Sequence, residues 1–443
     1  MAPRVDLVQS DTDLPHRTSV VVIGGGIAGI ATALFLAQKG IPVVVCEKGQ
    51  VAAEQSSRNW GWTRVMGRDE REIPLGMESL RIWRGMDKLV EAQTGFTQCG
   101  IAYLCETDRA VAGYEAWLEK ARPYQVDSRM IGADEIAVLF PTLAAPVKGA
   151  LYTPGDGRAE PQKAVPAMAA AVRRAGGIVL QGCAVRGVET KGGRVSGVVT
   201  ERGLIACDSV VLAGGAWSRL FAGNLDIDLP QLKVLGSVFR TAPLEGGPQT
   251  TVGGMPYSIR RRDDGGYNIA KRHNSISEIT PDSFRLFGQY LPNLKKSWRE
   301  IRLRAGGQFI AEWKTPRHWR MDEVSPFERV RVLDPAPDRS SMVDAPARLA
   351  KIFPAFAGLQ VVESWAGLMD VTPDAVPVIG PVDSLPGFFI ASGFSGHGFG
   401  IGPGAGRRAA DGGFGGGRHA GGGPVAVPPG AVRRRVVQAV RVI

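Results

Sequence analysis

The sequence predicts an α/β fold into which a second, β-rich unit is inserted, and three observations carry that expectation. Between residues 18 and 49, "TSVVVIGGGIAGIATALFLAQKGIPVVVCEKG" passes from an apolar run through a glycine turn into a helical pattern and a second apolar run. Strand-then-glycine patterns return at "VVLAGGAWS" (210–218) and "GFFIASGFSGHGFGIGPGAG" (387–406). Between those returns the chain changes to alternating runs of the antiparallel kind, two of them joined by Asp264-Gly265-Gly266, a hairpin turn signal.

In the first stretch, residues 19–23 are a β-branched apolar run suited to a buried parallel strand. Gly24, Gly26 and Gly29 fit G-x-G-x-x-G: the first for a tight turn, the second for backbone approach to a pyrophosphate, the third for close helix–strand packing. Residues 27–39 carry helical spacing, so a pyrophosphate would face the positive end of a helix. A second strand, 42–46, ends in Glu47, 21 positions after Gly26, where a carboxylate binds ribose hydroxyls and repels a 2′-phosphate. This Rossmann-like unit suits NAD and FAD equally.

Further along, helices are expected at 74–93, around 110–122, and from Pro161 to the Gly176-Gly177 stop. Strands follow at 178–190 and 194–212, with Gly192-Gly193 as a turn, returning the chain to the nucleotide fold. The middle section predicts antiparallel strands at 233–243, 254–273 and 329–338, interrupted by a helical region at 282–304. The second glycine-rich helix start decides between the cofactors. Backbone N–H groups of 392–398, and a helix following Pro403, would meet the edge of a ring that gains negative charge on reduction, which is what an isoalloxazine requires.

Composition excludes several classes. The 443 residues are 44% hydrophobic and 22% charged, with 58 glycines and no uninterrupted apolar run long enough to span a membrane. "MAPRVDLVQSDTDLPHR" has no apolar core of a signal peptide, and five scattered cysteines form neither a disulfide framework nor a zinc pattern. A reduced, cytoplasmic protein is the expectation, with peripheral attachment at the inner membrane left open. Of the net charge of +10, residues 407–443 supply +6, so the body is only mildly basic and nucleic-acid binding is not expected. Residues 411–443, rich in glycine and arginine, read as a disordered tail or as the product of a shifted reading frame.

Taken together, GGGIAG with Glu47, "SSRNWGW", "GDGRAEP", "VVLAGGAWS", "WAGLMDVTPDAVPVIG" and "GFSGHGFGIGPGAG" resemble the D-amino-acid oxidase-like (DAO) family of FAD-dependent oxidoreductases. The resemblance implies an FAD-binding domain in three parts (18–95, 151–222, 359–410), a substrate or cap segment (96–150) and an inserted antiparallel substrate domain (223–358). It implies oxidation of the C–N bond of an amino acid or secondary amine by hydride transfer to flavin, giving an imine that hydrolyses. Electrons would pass to oxygen, a quinone or an electron-transfer protein. A 2-hydroxy-acid dehydrogenase and a flavoprotein subunit of a heteromeric dehydrogenase are the alternatives.

The site residues follow from the same resemblance. His397, His273 and Arg64 are the expected catalytic residues. Non-covalent FAD is expected on Gly24, Gly26, Ile27, Ala28, Gly29, Glu47, Lys48, Ser57, Arg58, Asn59, Trp60, Val185, Ala213, Gly214, Trp217, Gly367, Gly396, His397, Gly398, Gly400 and Ile401. No metal is expected. Where sarcosine oxidases carry a carboxylate-holding lysine this chain has Gly400, and Ile269 stands where they carry an oxygen-activating lysine, which favours a dehydrogenase. Arg260, Arg261, Arg262 and Arg331 are candidates for a bidentate carboxylate clamp.

Overall fold

The computed structural model describes residues 3–297 and 301–412. Two sheets dominate it. The first has six strands in the order Val378–Pro381, Phe388–Ser392, Ser209–Leu212, Val20–Ile23, Val43–Cys46, Ile178–Leu180. All neighbours are parallel except the edge strand Val378–Pro381. Alternation along the central strand divides its surroundings, as a period of two requires. Val20 and Val22 face helices Ile27–Gln38, Pro161–Arg174 and Gly398–Asp411, whereas Val21 and Ile23 face a three-stranded sheet of Val185–Lys191, Arg194–Thr200 and Gly203–Ala206. Helix Ile27–Gln38 is apolar around nearly its whole circumference because it is buried on all sides. Helix Gly398–Asp411 approaches it closely: a Cβ on Gly406 would come within 2.5 Å of both the Ala31 Cβ and the Thr32 nitrogen.

The second sheet has ten strands and is largely antiparallel. Its longest pairing joins Leu232–Thr241 to Val361–Val371. The expected hairpin is present, Tyr257–Arg261 with Tyr267–Lys271. On one face Ala102, Leu104, Tyr257, Ile259, Tyr267 and Ile269 pack on helix Ala345–Ile352, Phe353 and Phe356. The alternate residues Tyr103, Ser258, Gly236 and Val238 face the first sheet and line a cavity.

Several local expectations are corrected. The helix expected at 74–93 is two, Ile73–Arg84 and Met86–Val90, divided at Gly85. The helical region at 282–304 ends in the strand Ile301–Arg304, parallel to Ser275–Glu278. Residues 330–338 form no strand; their backbone is bound by side chains instead, with Lys48 Nζ donating to Val330 O at 3.0 Å and to Arg331 O at 2.8 Å. The helix expected after Pro403 starts at Gly398, and Pro403 lies inside it. Strand Val361–Val371, assigned from sequence to the nucleotide-binding part, belongs to the ten-stranded sheet, as do Ile101–Cys105 and Gly149–Thr153. The expectation of a disordered tail falls on residues 413–443, outside the described residues.

Candidate active site

A cavity of about 490 Å³ lies between the two sheets. One end is made by the first strand and its turn. Gly24 adopts φ +110°, and a Cβ there would meet Ala213 O at 2.5 Å, so no other residue fits between the two strand ends. Gly26 precedes helix Ile27–Gln38 without a side-chain cap, which leaves that positive end open to the cavity apart from the Ile27 N–H, taken by Ser56 Oγ at 2.8 Å. Glu47 accepts hydrogen bonds from Gly25 N and Gly49 N, both at 2.7 Å. Burial raises its pKa while those two bonds and Lys48 oppose the rise. Lys48 lies 4.6 Å above the Trp217 ring and pairs with Glu54, which also accepts from Trp217 Nε1.

The opposite end is cationic and aromatic. Trp60 and Trp62 meet edge to face at 5.3 Å, and Arg64 stands over the Tyr103 ring at 5.7 Å. Arg68 is buried and has an unpartnered Nη1; burial, reinforced by Arg64, pushes its pKa down to about 10. Arg64, Arg68 and Arg272 all line the cavity, and none forms an ion pair within 4 Å among the described residues. Beneath their loop, Asp156 accepts from Val65 N at 2.8 Å and Met66 N at 3.2 Å, and its burial raises its pKa to about 7 despite those bonds. The strand end at Asp370 carries a second buried carboxyl, raised by burial, which accepts from Gly393 N at 2.7 Å and so shapes the loop leading to His397.

His397 closes this wall. It sits at the start of helix Gly398–Asp411, with its Nδ1 3.2 Å from Glu72 Oε2. Burial holds its pKa below the usual histidine value, helped by Arg68 and Arg64 against the pull of Glu72.

The structure brings most of the sequence-predicted residues to one cavity. Gly24, Gly26, Ile27, Ala28, Glu47, Lys48, Arg58, Asn59, Trp60, Val185, Ala213, Gly214, Trp217, Gly367, Gly396, Gly398 and Gly400 line it, as do Arg64, His273 and His397. Three lie off its wall. Gly29 packs against the first turn, where a Cβ would meet Gly24 O at 2.1 Å. Ser57 is fully buried and its carbonyl accepts from Gln162 Nε2. Ile401 points into the helical core. The four clamp candidates are engaged elsewhere: Arg260 is bidentate to Glu160, Arg262 pairs with Asp264, Arg331 with Glu201, and Arg261 stands beside Tyr267. Sequence reasoning missed Arg68, Glu72, Arg272, Tyr103 and Ser258. Arg68 and Glu72 lie in the turns between Arg64 and helix Ile73–Arg84, where no periodicity marks them, and Tyr103 and Ser258 have no local motif.

The profile of the FAD dependent oxidoreductase (DAO) family matches residues 19–412. The chain belongs to that family. Its fold is similar to the structure of an L-amino acid deaminase from Proteus myxofaciens in complex with anthranilate, at 33% identity and a TM-score of 0.89, covering 93% of each chain. It is 26% identical to a glycine oxidase of Pseudomonas putida, over 87% of this chain and 91% of that one. It is also 23% identical to the mitochondrial dimethylglycine dehydrogenase of Mus musculus, covering 88% of this chain but 41% of that one. The chain thus spans about two fifths of the mitochondrial dehydrogenases it matches.

FAD is the family's cofactor, and the residues present fit it. The glycine turn and open helix start suit a pyrophosphate, and Glu47 suits a ribose. Four buried polar atoms without partners, Arg58 Nη2, Trp62 Nε1, Arg68 Nη1 and Ser258 Oγ, belong to cavity-lining residues. Leaving such a group unsatisfied costs about 1–3 kcal/mol, which a ligand seated in the cavity would relieve at these four. No helix among the described residues is long and apolar enough to cross a membrane.

Proposed function

We propose that this DAO-family chain oxidises the C–N bond of an amino acid, giving an imine that hydrolyses in water. The observation that carries the reading is one continuous cavity joining a dinucleotide cradle to a chamber of unpaired guanidinium groups and aromatic rings. Bound FAD supplies a two-electron acceptor for the hydride from the carbon bearing nitrogen. The ten-stranded sheet acts as the substrate side. Arg272, whose side chain has no hydrogen-bond partner among the described residues, holds the carboxylate, with Arg64 and Arg68 adding positive potential. Trp60, Trp62 and Tyr103 wall the side chain and exclude water. Arg58, locked by Asp334, Ala366 O and Ala53 O, holds the loop before Asn59 against the cofactor. His273 and His397, which both line the cavity, are the residues this reading assigns to the reacting centre, with the Gly396 and Gly398 backbone against the cofactor ring.

Likeness to the L-amino acid deaminase supports starting with the L series. Anaerobic addition of L-, D- and N-methyl amino acids to the purified flavoprotein is expected to bleach the flavin band with one series. Admission of air then separates an oxidase from the dehydrogenase expected from Ile269. Flavin that dithionite reduces but no amine bleaches would overturn the reading.

A further inference from the structure

Glu72 lies outside every motif that marks the family resemblance, yet it is the charged group in direct contact with His397. Its side chain is 1% exposed, and both carboxyl oxygens lie near Nδ1, at 3.3 and 3.2 Å. The other ring nitrogen makes no hydrogen bond to the described residues, and His397 lines the cavity. Two helices begin here, Ile73–Arg84 just after Glu72 and Gly398–Asp411 just after His397. Both positive ends favour a carboxylate and disfavour an imidazolium. Against the burial of Glu72, the hydrogen bond to His397 and the positive potential of Arg68 and Arg64, which act in the same direction, keep its carboxyl ionised. An ionised carboxylate only accepts, so the proton between the two groups belongs to Nδ1.

We propose that Glu72 is a positioning residue: it fixes His397 as the Nδ1–H tautomer, so that an unprotonated Nε2 faces the cavity and accepts a proton from the substrate nitrogen. The second half rests on the amine reading above; the tautomer does not. A substrate ammonium that reaches Nε2 gives up one N–H proton, an Nε2–H bond forms, and the amine keeps the lone pair that C–H cleavage at its neighbour requires. The imidazolium so formed is balanced by the Glu72 carboxylate, the pairing that orients a histidine base in other enzymes.

The chain has five histidines, so 15N-histidine labelling of the FAD-loaded protein, with H397N subtracted, isolates the His397 signals. In the resting protein the expected result is a protonated Nδ1 and an unprotonated Nε2; a protonated Nε2 overturns the proposal without any substrate being added. The charged groups facing the imidazole are Glu72, Arg68 and Arg64. In Glu72→Gln the two arginines remain unopposed, so the His397 pKa falls further and the acid limb of kcat/KM moves to lower pH. The plateau drops by on the order of 10²-fold, and Glu72→Asp restores part of it. A lowered plateau with an unmoved acid limb would reduce Glu72 to a structural residue. Should Glu72→Gln fail to fold, the wild-type spectrum and the aspartate variant still decide. If no amine reduces the flavin but the Nδ1–H tautomer is seen, the amine reading has failed and the positioning by Glu72 has not.

Discussion

At the glycine-turn end of the cavity the wall is largely backbone, a turn, a helix start and the ends of adjacent parallel strands, with the side chains of Glu47, Lys48 and Trp217 set among it. At the end proposed for the substrate the wall is side chains, delivered by strands Ile101–Cys105, Leu232–Thr241 and Tyr257–Arg261 and by the loop carrying Arg64 and Arg68. The first end offers a shape any dinucleotide of the right charge will fill. The second offers charge and aromatic surface that individual substitutions can redirect. Changes at the first end are therefore expected to remove the cofactor, and changes at the second to redistribute substrate preference while leaving the protein yellow.

The largest effect is expected at Gly24. A valine there would have to adopt φ +110° and place its Cβ 2.5 Å from Ala213 O, and neither strand end can yield without opening the sheet. Gly24→Val is expected to purify without flavin; a variant retaining stoichiometric FAD would break the contrast between the two ends.

Under the loop carrying Arg64 and Arg68, Asp156 offers a pH test. Its folded-state pKa, about 7, lies above the ordinary carboxyl value, so the folded state binds this proton more tightly than the unfolded one. Its contribution is present at low pH and is lost as pH rises through about 7, by up to roughly 4 kcal/mol. Asp156→Asn does not titrate and loses one of two backbone bonds. The wild type is expected to be the more stable protein at pH 5, with the gap narrowing or reversing by pH 8 in paired thermal melts. A gap that widens with pH would show that the Val65 and Met66 N–H bonds dominate.

Arg272→Met is expected to lower kcat/KM for amino acids by about 10²-fold, chiefly through KM, while FAD content stays unchanged. An equal loss with an amine lacking a carboxylate would remove Arg272 from substrate binding.

How much was legible in the sequence follows the same division. Gly24, Gly26 and Glu47 were readable because one contiguous stretch builds their end of the cavity, and the spacing is itself the geometry. The place of His397 on the cavity wall was readable through its glycine-flanked loop. Arg260 was misread for a physical reason: strand alternation puts it on the same face as Ser258, but Glu160, distant in sequence, neutralises it there. Tyr103 and Ser258 reach the cavity only through the order of strands in the ten-stranded sheet, which no local pattern encodes. The extent of that sheet was under-read as well, since Val361–Val371 runs directly into the segment that rejoins the first sheet at Val378–Pro381 yet pairs with Leu232–Thr241.

The smallest effect tests whether crowding, rather than backbone strain alone, separates Gly24 from other left-handed glycines. Gly265, in the hairpin turn between Tyr257–Arg261 and Tyr267–Lys271, has φ +84°, but a Cβ there would meet only the Pro243 Cβ, at an ordinary 3.5 Å. Gly265→Ala therefore carries the strain without the collision, which destabilises by about 1 kcal/mol. The expected result is a thermal midpoint lowered slightly, with FAD content and kcat/KM at wild-type values. If Gly265→Ala also lost flavin, the turn would be coupled to the cofactor across the ten-stranded sheet, and the independence of the cavity's two ends would no longer hold.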